Sequence, residues 1–192
     1  PRHEQTAGHM ADAYFRVRHE PVATLTSCGP GSANLIMSLA NALADSSAFL
    51  AITANVPTQQ FNRGPFQELN RHNQADFPSL VRPVVKRSYQ AYRVEMLPLM
   101  LRQATTNMLS GRPGPVNLDV PFNLFREEAD VEKPSSGATS FISQRSGASD
   151  EDVRTATDLL LKAERPLLFI GHGVTLSEAS KELQALVQRL NI

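Results

Sequence analysis

The residues of this chain that could do chemistry are few and well separated. They are the acid of Arg2-His3-Glu4-Gln5, the loop Cys28-Gly29-Pro30-Gly31, and histidines at positions 3, 9, 19, 72 and 172. An isolated carboxylate at the start of a helix has a plain explanation, because it complements the helix dipole. A zinc-protease reading of Glu4 fails: that pattern needs histidine three residues after the glutamate, and Ala7 stands there. The other histidines have no ligand spacing, which leaves no metal site to assign. Cys28 precedes a helix, where thiol pKa values fall. No histidine partner is identifiable, and a small buried thiol is the commoner reading. The glycines of the loop let the backbone approach a ligand closely, and helix amides beyond it can face a polar group. No Gly-Lys-Ser/Thr follows, and the dinucleotide fingerprint is absent. Taken alone, such a loop is more often a tight structural turn than a ligand site.

These residues must be positioned by alternating elements. Residues 5–17 read as a helix with Ala7, Met10, Ala11, Tyr14 and Phe15 on one face. Residues 21–26 are a short β-prone run that ends at the glycine loop. A helical stripe follows over 32–44, and 49–54 is an almost wholly apolar strand, as expected for one buried on both faces. The pattern lapses over 55–83 into a long polar loop, a length that is usually functional or disordered. Residues 84–89 form a strand and 94–110 a helix ended by Gly111 and Pro113. Residues 115–120 form another strand, stopped by Pro121. Strands alternating with helices predict an α/β fold with an open, mainly parallel sheet and helices on both faces. Residues 126–149, rich in serine, glycine and acid, read as a linker between a domain at 1–125 and a second unit at 150–192. That unit reads as a helix at 150–162, a strand at 166–170, the turn Gly171-His172-Gly173 and a last helix from about Leu176. It is the start of a second α/β domain, cut short.

The composition narrows the function class. Nineteen basic and nineteen acidic residues give zero net charge, with no basic footprint for nucleic acid or an anionic membrane. The single cysteine excludes an internal disulfide framework and fits a reducing cytoplasm. No apolar run reaches the roughly 18 residues that span a bilayer.

The order of several blocks carries more information than any one of them. Arg2-His3-Glu4-Gln5 is followed by Ala7-Gly8-His9-Met10-Ala11-Asp12-Ala13-Tyr14, then Gly29-Pro30-Gly31-Ser32-Ala33-Asn34 and Ala44-Asp45-Ser46. Ala51-Ile52-Thr53, Val56-Pro57, Phe66-Gln67-Glu68 and Gly111-Arg112-Pro113-Gly114-Pro115-Val116 complete the series. This series resembles the pyrimidine-binding domain of thiamine-diphosphate-dependent enzymes, in particular the acetolactate synthase-like group. The region from Arg165 resembles the start of that family's central domain.

The resemblance implies that Glu4 hydrogen-bonds N1′ of the cofactor's aminopyrimidine and so promotes loss of the thiazolium C2 proton. Such a carboxyl group is expected in a largely apolar pocket, where desolvation favours the protonated form. Gly29, Pro30 and Gly31 would flank the pyrimidine, and Phe66 and Gln67 would line the substrate side. Asn34 would support the loop or cap its helix. The implied reaction is carboligation or decarboxylation of a 2-oxo acid by a cytoplasmic homodimer or tetramer with the cofactor at the subunit interface. The Mg²⁺ ligands would lie in a diphosphate domain outside this chain, as would the glycine-rich strand expected before Arg2; some members bind FAD through the central domain. The chain is thus expected to be a fragment, inactive alone. It departs from the family's pattern at Ala48 (usually proline), at Ala54-Asn55 (usually Gly-Gln) and at Phe122-Asn123 (often Lys-Asp), and its loop is longer through residues 70–74. A related decarboxylase or hydrolase on another oxo substrate, or a non-catalytic scaffold, remains the alternative.

Overall fold

The computed structural model describes residues 1–64, 67–68, 76–131 and 147–192. The chain divides into two compact units, residues 1–142 and 143–192.

Unit 1 is built on four parallel strands: β1 (Ala23–Thr26), β2 (Leu50–Asn55), β3 (Arg87–Gln90) and β4 (Val116–Pro121). Their spatial order is β1-β2-β4-β3, so β2 and β4 are central and β1 and β3 form the edges. The position of β4 explains why all six of its residues are buried. The helices are α1 (Glu4–Arg18), α2 (Pro30–Ala33), α3 (Ile36–Ala44), α4 (Phe77–Val81) and α5 (Leu97–Leu109). On one face, Ala11 of α1, Leu39 and Ala42 of α3, and Phe77 and Val81 of α4 pack over Ala51 and Phe49. On the other, Leu97 and Met100 of α5 pack over Leu118, Val120 and Ile52. Helices on both faces of a parallel sheet are the expected architecture.

Several local expectations change. The buried stripe of α1 is Gly8, Ala11, Asp12 and Phe15, whereas Met10 and Tyr14 are exposed. Gly8 is the cause: a Cβ there would come within 2.6 Å of Ser38 Cβ, so its missing side chain lets α1 lie directly on α3. Asp12 tolerates burial because Arg16 Nε donates to it at 2.8 Å and Asn41 Nδ2 at 2.7 Å. The helix expected over 32–44 is broken into α2 and α3 at Asn34–Leu35. Strand β3 starts at Arg87, because residues 82–84 form a 3₁₀ turn around Pro83, which has no N–H to give a ladder. The polar stretch after β2 holds a short helix, α4, capped by Asp76, which accepts from the Ser79 N–H at 3.1 Å.

Unit 2 contains α6 (Asp150–Lys162), α7 (Gly173–Leu176) and α8 (Ser180–Leu190). Ser149 caps α6 by accepting from the Asp152 N–H at 3.1 Å. The strand expected at 166–170 does not form, and Leu167 and Phe169 are exposed. A strand exists through its ladder, and among the described residues of this unit none offers one. The last helix begins at Ser180 rather than near Leu176, since α7 ends in a turn with Glu178 at positive φ.

Replacing Gly8 by alanine tests the helix contact. Overpacking against Ser38 costs about 1–3 kcal/mol, more than the roughly 1 kcal/mol of helix propensity gained. A lower denaturant midpoint is the expected result; an increase would mean that α1 and α3 separate freely.

Candidate functional site

Helix α1 runs antiparallel to the strand that follows it, which brings its first turn to the carboxyl end of β1. In open α/β sheets that end of the strands is where ligands bind. His3 caps the helix by accepting the Gln5 N–H on Nδ1 at 3.2 Å, which places Glu4 as the first helical residue. From there its carboxylate meets the loop after β1: Asn34 Nδ2 donates to Glu4 Oε2 at 3.0 Å, and Glu4 Oε1 lies 3.2 Å from the point that a Gly31 Cβ would occupy.

The loop's glycines are required by contact as well as conformation. Gly29 has φ +64°, and a Cβ there would meet Gln67, whose own Cβ would be 2.6 Å away. A Cβ on Gly31 would collide with the Ser27 hydroxyl and crowd Glu4. Pro30 opens α2 with its ring exposed, while Ser32 beneath it donates to Ser27 O at 2.6 Å. Cys28 is half-buried and its Sγ donates to Gln67 Oε1 at 3.8 Å. Burial pushes its thiol pKa up, the opposite of what a nucleophilic thiolate needs. Glu4, Gly29, Pro30, Gly31 and Gln67 therefore occupy one neighbourhood; Phe66 lies outside the described residues.

The electrostatic state of Glu4 differs from the expectation. Its pKa is lowered, first by the hydrogen bond from Asn34, then by a backbone hydrogen bond at Glu4, with desolvation opposing and His3 adding a small favourable field. A partly exposed carboxylate with an amide donor keeps its charge; the apolar enclosure that would protonate it is not built by these residues.

Sequence reasoning also passed over a buried polar set at the same end of the sheet. Asp119 of β4 is fully buried and accepts from Thr53 Oγ1 at 3.0 Å, Asn55 Nδ2 at 2.7 Å and Gln90 Nε2 at 2.9 Å. Burial raises its pKa, and the three neutral donors pull the other way. Asn117, two residues earlier on the same face, donates to Thr53 Oγ1 at 2.9 Å and accepts from Ser88 Oγ at 2.7 Å. Polar residues at i and i+2 of an otherwise apolar strand were the available signal.

Two family models match the chain: "Thiamine pyrophosphate enzyme, N-terminal TPP binding domain" over residues 1–76, and the central domain of the same enzymes over residues 153–192. The chain belongs to the thiamine pyrophosphate enzyme family. Membership in that family implies thiamine diphosphate as cofactor. Among its relatives, the "Probable acetolactate synthase large subunit" of Methanococcus aeolicus is 35% identical over 100% of this chain, which covers 31% of that protein. The "Acetolactate synthase catalytic subunit, mitochondrial" of Saccharomyces cerevisiae is 34% identical over 91% of the chain and 26% of its own length. The chain thus spans about a third or less of these relatives. In fold it matches the thiamine diphosphate-dependent 4-hydroxybenzoylformate decarboxylase of Rhodococcus jostii RHA1, with a TM-score of 0.78 at 21% identity over 98% of the chain and 34% of that one. No helix among the described residues is long and apolar enough to cross a membrane.

Removing the Asn34 donor should raise the Glu4 pKa. Because the folded value is depressed, Glu4 contributes stability that is present above its unfolded pKa and lost as pH falls through the folded one. In Asn34→Ala that acid-side loss should shrink, and NMR titration of the Glu4 side-chain carboxyl carbon should move upward. An unchanged titration would remove Asn34 from the site.

Proposed function

We propose that this chain is the pyrimidine-binding part, with the start of the central domain, of a thiamine-diphosphate-dependent carboligase or decarboxylase acting on 2-oxo acids, acetolactate synthase-like in its chemistry. The observation that carries the reading is the Glu4 carboxylate, held by Asn34 and facing the side-chain-free surface of Gly31 at the carboxyl end of a parallel sheet. The residues fit the group: a flat heterocycle needs a carboxylate at one ring nitrogen and a backbone surface with no Cβ in its way. When bound, thiamine diphosphate supplies a carbon nucleophile for the substrate carbonyl.

Glu4 accepts and returns a proton at its carboxylate, which is the role of a general acid–base group. Asn34 holds that carboxylate in place; Gly29, Pro30 and Gly31 form the surface beside the ring. Gln67, and Phe66 by the family's pattern, stand on the substrate side. The enclosure that Glu4 lacks in this chain is supplied by the cofactor and by a second subunit of a homodimer or tetramer. Mg²⁺ is held by residues outside this chain, and FAD would sit on the central domain. The single cysteine supports a cytoplasmic setting. Phe122, half exposed beneath the Arg126 guanidinium at 4.9 Å, stands where the family often has lysine, and favours a larger or less polar oxo acid than pyruvate as the second reading.

The test uses the full-length polypeptide that carries this chain, with thiamine diphosphate, Mg²⁺ and pyruvate. Carbon dioxide release and acetolactate formation are expected, with kcat falling on the order of 10²–10⁴-fold in Glu4→Gln. Cofactor binding without pyruvate turnover would select another oxo acid. No cofactor binding would leave a scaffold.

A further inference from the structure

The buried carboxylate of Asp119 reaches further than the sheet. On one side it receives Asn55 Nδ2, and the same side chain's Oδ1 accepts the Val56 N–H at 2.8 Å. One amide therefore fixes the direction in which the backbone leaves β2. On the other side it receives Gln90 Nε2, and Gln90 Oε1 accepts the Tyr92 hydroxyl at 2.6 Å. The Tyr92 ring meets Phe61 edge to face, with centroids 6.3 Å apart. Asp119 thus reaches the root of the segment that follows β2 through Asn55, and its middle through Gln90 and Tyr92.

The segment is tied at two further points. The Thr58 N–H is held by Asn123 Oδ1 at 2.9 Å, and Asn123 Nδ2 returns to Thr58 Oγ1 at 3.2 Å. The Glu68 carboxylate accepts the Asn62 N–H at 2.9 Å and the Gly64 N–H at 2.8 Å, which ties Glu68, the residue after Gln67, to that turn. At the end of this set Gln67 rests on Gly29 and Cys28, beside Glu4's loop. Asn55 and Asn123 are also two of the positions where the sequence departs from the family's pattern, with asparagine in place of the usual glutamine at 55 and of the frequent aspartate at 123, and each makes its contacts through its side-chain amide.

We propose that Asp119 is a positioning residue: through Asn55 and through Gln90–Tyr92 it sets where Gln67 lies over Cys28 and Gly29. Where Gln67 lies then decides how much room the substrate side of the loop offers, a step that rests on the function proposed above. Asp119 itself touches neither ring nor substrate; it acts only through the residues it holds.

The experiment compares Tyr92→Phe and Asn55→Ala with wild type in the full-length protein. Tyr92 is 54% exposed, so the phenylalanine keeps the ring against Phe61 and loses only the hydroxyl. The first readout is alkylation of Cys28 by iodoacetamide, followed peptide by peptide, because Gln67 shields that thiol. Both variants should react several-fold faster at Cys28, while the melting curve of Tyr92→Phe stays at the wild-type position. The second readout is steady-state kinetics, in which KM for the 2-oxo acid should rise by a larger factor than kcat falls. Wild-type alkylation rates in Tyr92→Phe would overturn the proposal, and if Asn55→Ala does not fold, that variant alone decides it. Loss of the function reading would show separately, as wild-type protein that binds no thiamine diphosphate, and would leave the alkylation comparison standing.

Discussion

The place of Glu4 depends on how closely two helices can approach. The first turn of α1 is aligned at the site by the packing of the helix's middle against α3. That packing is set by Gly8, whose absent side chain admits Ser38, and by Asp12, which ties α1 to Asn41 of α3. Arg16 extends the tie by donating to Asp12 and, at 2.5 Å, to Asp45 beyond the end of α3. A rigid helix transmits this alignment along its length. Shifting the contact outward by one methyl group would displace the carboxylate that Asn34 and the glycine loop are built to meet.

Much of this arrangement was legible in the sequence. Periodicity located α1, α5 and α6 within one to three residues, and short β-prone runs between turn residues located all four strands of the sheet. The order of motifs pointed to the family and to Glu4 with its loop. What periodicity could not see was which residues are exempt from it. A hydrophobic-stripe argument puts Met10 and Tyr14 inside, because it weighs apolar surface and ignores contact distance. The glycine that permits closest approach carries no hydrophobic weight at all. The strand expected at 166–170 fails for a related reason: local β propensity is a statement about a ladder that must be supplied by other strands.

The electrostatics of the site were also beyond the sequence. An apolar enclosure for Glu4 was a fair inference from the chemistry, yet Asn34 donates to the carboxylate and the surroundings remain partly open. Asp119 is the complementary case. Its neighbours in sequence are Leu118 and Val120, which advertise a plain core strand. Only the register, which sets Thr53 and Gln90 beside it on the two flanking strands, shows that its burial is paid with hydrogen bonds from both sides.

That register has a kinetic consequence. The amide of Asn117 and the carbonyl of Ala51 are joined across 66 residues of chain, and the contacts of Asp119 with Thr53 and Asn55 have similar separations. Closing so long a loop costs entropy before the pairing returns anything, so topology predicts that the β2–β4 seam closes late in folding. Contacts made after the transition state govern the rate of unfolding more than the rate of folding. The polar set at the carboxyl end of the sheet is thus expected to act as a clasp, closed last and setting how long the folded unit endures.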